Sequence, residues 1–83
     1  MTDWHIRVDA RGTGEWIVST PASGPALHVY RLGPDDWLVS EVGRGSEGRG
    51  IDLRQALHGL SGGLEAPLWW EAVPELVENE RGA

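Results

Sequence analysis

The chain has no cysteine, no lysine and no phenylalanine, and only one tyrosine and one methionine. Without cysteine there can be no disulfide and no thiolate metal site, which removes the staples that small secreted domains depend on. The start, Met1-Thr2-Asp3-Trp4-His5, lacks the charged and apolar regions of a signal peptide, and the expectation is a cytoplasmic protein. Charged residues or glycines break every apolar run well short of the ~20 residues of a membrane helix, so no membrane span is expected. With no lysine, all seven basic residues are arginine, against thirteen Asp and Glu, for a net charge of −6. Such a balance argues against nucleic acid or an anionic membrane as a non-specific partner, because both require a basic footprint. Lacking phenylalanine, a core must draw its large aromatics from five tryptophans.

With 83 residues and 40% hydrophobic content, one core can be filled and not two. Residues 1–78 are read as a single small domain, with an acidic, frayed tail over 79–83. Charge is unevenly spread, and residues 43–63 are the only part with a positive balance, three arginines against Glu47 and Asp52.

The order of elements follows from periodicity. Trp4, Ile6 and Val8 alternate with polar residues, and Arg11-Gly12-Thr13-Gly14 precedes a second apolar run, Trp16-Ile17-Val18. This reads as a β-hairpin, with Val8 set against Trp16. Thr20 to Pro25 contains two prolines, which lack the ladder donor, and is read as a connection. A second hairpin joins Leu27–Leu32 to Trp37–Val42 through Gly33-Pro34-Asp35-Asp36. Pairing Leu32 with Trp37 places Tyr30 opposite Val39 and His28 opposite Glu41, and leaves this hairpin apolar on both faces. A face of that kind needs a cover.

Asp52 is a good N-cap and Gln55 stands at the capping-box position, with Ile51 placed to staple the helix start against Ala56. Leu53, Ala56, Leu57 and Leu60 then fall on one helical stripe that ends at Ser61-Gly62-Gly63. Residues 68–78 fit a second short helix beginning near Pro67, kinked or divided by Pro74. They also fit an edge strand over Leu68–Val73, since adjacent tryptophans and valine suit a sheet. The fold expected is α+β: two hairpins forming a four-stranded antiparallel sheet, one helix packed on one face, and a short C-terminal helix or edge strand. A strand-rich first part followed by a capped helix is similar in layout to small bacterial accessory and antitoxin-type proteins.

Three features bear on function. Gly43-Arg44-Gly45-Ser46-Glu47-Gly48-Arg49-Gly50 lies between a strand and a helix start, and reads as an exposed loop. Its Gly43-x-Gly45-x-x-Gly48 spacing formally fits a dinucleotide fingerprint, but that fingerprint requires a parallel βαβ unit, and the preceding strand belongs to a hairpin. What survives is a weaker anion site, in which Gly43, Arg44, Gly45, Gly48 and Arg49 hold a small anionic ligand beside the helix N-terminus.

Secondly, no catalytic or metal constellation is present. His5, His28 and His58 occupy separate elements without ligand spacing, and the serines have no ordered His/Asp partners. No enzyme activity, cofactor or metal is expected. Thirdly, Trp69 and Trp70 are adjacent, so their side chains diverge whether the segment is strand or helix. Both cannot easily enter one small core. Tryptophan, tyrosine and arginine are the types enriched at interface hot spots, which makes Trp69, Trp70, Tyr30, Trp37, Arg44 and Arg49 the candidate partner-binding residues. The reading is a non-enzymatic interaction module acting through a homodimer or a protein partner. The alternatives are the anion-binding loop, and an acidic, antitoxin-like inhibitor of a basic partner.

Overall fold

In the computed structural model, residues 6–21, 24–62 and 68–82 are described. Strands β1 (Arg7–Gly12), β2 (Glu15–Thr20), β3 (Gly24–Gly33), β4 (Asp36–Glu41) and β5 (Glu47–Gly50) are followed by helix α1 (Leu53–Ser61). A 3₁₀ segment (Leu68–Ala72) then leads into helix α2 (Val73–Gly82). The strands form one antiparallel meander in the order β1-β2-β3-β4-β5. The class is α+β, but the sheet has five strands where four were expected. Among the described residues, no helix is long and apolar enough to cross a membrane. Trp4 and His5 lie outside the described residues.

The fifth strand comes from the glycine-rich stretch. Only the residues between Glu41 and Glu47 form the loop, and Gly43 and Gly45 turn the chain there with φ of 83° and 71°. Glu47–Gly50 pairs with Trp37–Ser40, and Gly48 is buried. An added Cβ at Gly48 would run into the backbone of α1, at Ala56 O and Leu60 N. The strand needs glycine because the helix lies directly on it. Lack of side chains, which suggests a loop, here permits close packing of strand and helix.

Both hairpin registers differ from the expected ones, the first through the position of its turn and the second through a bulge. In β1–β2, Gly12 pairs with Glu15 across a Thr13-Gly14 turn, and the register shifts so that Val8 faces Val18, not Trp16. That two-residue difference keeps every side chain on its expected face. In β3–β4, Gly33 pairs with Asp36, and the shift between Arg31 and Gly33 leaves Leu32 as the extra residue. Tyr30 therefore faces Leu38, His28 faces Ser40 and Val29 faces Val39. This one-residue difference reverses the faces. Pro25, expected in a connection, lies within β3 opposite Ser19, where the ladder shifts register.

The core lies on one side of the sheet. Val8, Trp16, Val18, Leu27, Val29 and Val39 point toward the helices, and Leu53, Ala56, Leu57 and Leu60 of α1 meet them. Asp52 caps α1 by accepting from Gln55 N at 2.8 Å, and Gly62 closes it at φ 63°. The Gln55 side chain accepts in return from Ile51 N at 3.3 Å. Ile51 is 61% exposed, so the expected staple with Ala56 is not buried. The edge strand considered for residues 68–73 is helical instead. Trp70, Val73 and Val77 recur at helical spacing, and all three are buried. Pro74 sits in the first turn of α2, where no backbone donor is needed, and the 3₁₀ segment ends just before it. The helix continues to Gly82, past the boundary drawn at Glu78.

Candidate functional site

Because side chains alternate along a strand, the residues between the core positions form the opposite face of the sheet. Among the described residues, no helix packs on that face. It carries Ile17 on β2, His28 and Tyr30 on β3, Leu38 on β4, and Glu47 and Arg49 on β5. Tyr30 lies directly between Glu15 and Leu38 of the flanking strands, and Ile17 is diagonal to it. All three of Ile17, Tyr30 and Leu38 are half-buried by their neighbours.

The polar groups of the face are tied to one another. His28 Nε2 lies 2.7 Å from Glu15 Oε2, and the Tyr30 hydroxyl lies 2.9 Å from His28 Nδ1. An ionised carboxylate can only accept, so Nε2 carries the proton and donates to Glu15, while Tyr30 donates to Nδ1. The His28 and Tyr30 rings also stack, with centroids 4.4 Å apart. Beside them Arg49 donates to both oxygens of Asp36, Nε at 2.8 Å and Nη2 at 2.6 Å. Arg7 Nε donates to Asp9 at 3.1 Å on the outer strand.

Acid, imidazole and hydroxyl in series is the order of a nucleophilic triad, but such a site needs a hydroxyl that gives up its proton readily. Burial, with the negative charges of Glu15 and Glu47, raises the Tyr30 phenol above its ordinary value instead. Tyr30 holds its proton. The series fixes three side chains in place rather than activating one. The hydrogen bond from Arg49, reinforced by its charge and partly opposed by desolvation, holds the Asp36 carboxyl below the usual aspartate range.

The residues singled out from sequence are distributed over three places. Tyr30 and Arg49 share the open face. Trp37 points to the other side, stacks on Trp16 at 5.7 Å and packs on the core, as does half-buried Trp69. Trp70 is buried at 8% exposure and meets Trp69 edge-on at 6.1 Å. Arg44 lies in the β4–β5 turn, 3.7 Å from Glu41. Of the glycines proposed for an anion, Gly43 and Gly45 are in that turn, whereas Gly48 faces α1. Among the described residues, no cluster of His, Asp and Glu could hold a metal ion.

Sequence reasoning did not find Glu15 beside His28, or Asp36 beside Arg49. It paired His28 with Glu41, which belongs to the opposite face. The available signal was the alternation of β2 against β3, which aligns Glu15 with Tyr30 and Ile17 with His28. Comparison of the chain with protein-family models, with curated proteins and with solved structures finds no match.

Proposed function

We propose that the protein is a non-enzymatic interaction module and that the open face of its sheet is the contact surface, taken up by a second copy of the same chain. The observation that carries this is the placement of Ile17, Tyr30 and Leu38 together at the middle of a sheet face that no described helix covers. A two-fold interface sets a patch against itself, so unbalanced charge on it would repel. Here Asp36 is paired with Arg49 and Asp9 with Arg7, so these two carboxylates are balanced locally, while Glu15 is held by a hydrogen bond from His28. Locked side chains also lose little rotamer freedom on association. The raised Tyr30 pKa supports a fixing role over a catalytic one. A small-anion site at the β4–β5 loop has less support, since Arg44 and Arg49 already have Glu41 and Asp36 beside them.

Strands about 4.8 Å apart with a rise of about 3.3 Å per residue give a face of roughly 400–500 Å² per copy. That is at the small end for specific interfaces, so the dimer is expected to be weak and concentration-dependent. Sedimentation equilibrium from ~5 µM to ~1 mM tests this range. Leu38→Arg, at the centre of the face, should keep the chain monomeric, and Glu75→Arg, on the exposed side of α2, should not. A chain that stays monomeric throughout, or a Leu38→Arg variant that associates like the wild type, would overturn the proposal.

A further inference from the structure

The bonds of the open face leave one carboxylate with its charge uncancelled. Arg7 is paired with Asp9, and Arg49 with Asp36. Glu15 is held instead by the His28 imidazole, with Oε2 2.7 Å from Nε2. A neutral imidazole donates a hydrogen bond but brings no charge, so the pair stays anionic for as long as His28 is neutral. The groups around His28 on the neighbouring strands supply no cation. Ile17 of β2 and Ser40 of β4 lie directly opposite it, with Asp9 of β1 beyond the first and Glu47 of β5 beyond the second. On its own strand, Tyr30 donates to Nδ1 at 2.9 Å. The His28 and Glu15 side chains remain 28% and 38% exposed, so a second copy seated on the face would cover them.

Covering the pair changes the cost of its charge. In the separate chain, water screens the Glu15 carboxylate. Under a second copy that water is excluded, and an uncompensated charge in the drier setting is expensive. Two-fold symmetry doubles the cost, because each copy brings its own Glu15 to the shared contact. Imidazole is the side chain that changes charge between about pH 5 and 8, and protonating it turns the hydrogen bond to Glu15 into a neutral ion pair. The other ring nitrogen is not left without a partner. Nδ1 then donates to the Tyr30 oxygen, and the phenol turns its own proton outward, where it can donate to the second copy.

We infer that the contact face is proton-linked: each copy takes up a proton on His28 as the two copies join, so acid strengthens the dimer and alkali weakens it. The inference rests on the reading of this face as a self-contact, and adds the condition under which the contact forms. The sign follows from linkage. The dimer binds more protons than two separate chains, so lowering the pH through the imidazole range moves the equilibrium toward the dimer.

The test is sedimentation equilibrium of the full chain at about pH 8 and about pH 5.5, in roughly 0.15 M salt to screen the overall net charge. The dissociation constant should be about tenfold or more lower at the acid end. His28→Gln keeps a donor for Glu15 but has no charge to gain, and its dissociation constant should change by less than about twofold over the same interval. Glu15→Gln removes the carboxylate, so a protonated His28 would be covered without its counter-charge, and acid should weaken that variant's dimer. Circular dichroism at both pH values checks that each variant is folded. Association that Leu38→Arg abolishes but that is equal at the two pH values would overturn the inference and leave the contact face standing. A folded His28→Gln variant with the pH dependence of the wild type, or a folded Glu15→Gln variant that acid strengthens to the same degree, would overturn it as well. No association at either pH would overturn the contact face, and the inference with it.

Discussion

Replacing Gly48 by alanine adds one methyl group at the closest approach between β5 and α1. Its Cβ would overlap Ala56 O and Leu60 N, and would lie 2.8 Å from Leu60 Cα. These are helix backbone atoms, which cannot rotate aside as a side-chain tip can. The helix must move, and with it the buried Leu53, Ala56, Leu57 and Leu60. Overpacking costs about 1–3 kcal/mol, and a rigid neighbour puts this case at about 3. Alanine also restricts the unfolded chain, which returns about 0.5–1 kcal/mol and leaves a net loss near 2. For a chain of this length total stability is about 4–12 kcal/mol, so the loss is a large fraction of it. The midpoint of thermal unfolding should fall by about 8–16 °C, read by circular dichroism. Gly59→Ala is the matched control from the facing helix. Its Cβ would meet Arg49 N and Gly48 Cα at 3.5 Å, an ordinary contact, and its helical position favours alanine. That variant should be stabilised by up to about 1 kcal/mol. If Gly48→Ala unfolds within about 2 °C of the wild type, or moves in the same direction as Gly59→Ala, then α1 does not rest on β5 as described.

The adjacent tryptophans should separate in a urea titration. Trp70→Ala removes a buried side chain at a cost of about 3–5 kcal/mol, and Trp69→Ala, from a half-buried position, should cost clearly less; equal costs would contradict their different burial. Asp36 is depressed by Arg49, so its contribution to stability is present above the ordinary aspartate pKa and is lost as pH falls through the lowered one. Carboxyl NMR should place this titration below about pH 4, and Arg49→Ala should move it upward. An Asp36 titration unaffected by that substitution would mean that the two side chains are not paired in solution.

What the sequence determined by itself were the features set by near neighbours along the chain. The stripe of Leu53, Ala56, Leu57 and Leu60 with its Asp52 cap defined α1, because helical contacts and caps span only three or four residues. The presence of the first four strands was legible from alternation and turn residues, but not all their bounds, since β1 runs on through Arg11 and Gly12, read as turn, and β3 begins at Gly24, read as connection. Tertiary structure decided the rest. Glu47–Gly50 has no apolar pattern, and it is a strand only because α1 lies against it and β4 offers its edge. A single extra residue at Leu32 then decided which face Tyr30, His28 and Val39 occupy, since a slip of one position exchanges the two sides of a strand. The proposed contact face depends on that exchange, because it brings Leu38 rather than Val39 beside Tyr30. The same slip sets Arg31 opposite Trp37 on the other face, where its guanidinium lies over the ring. Neither grouping is a pattern along the chain, because each draws on strands joined only by the folded sheet.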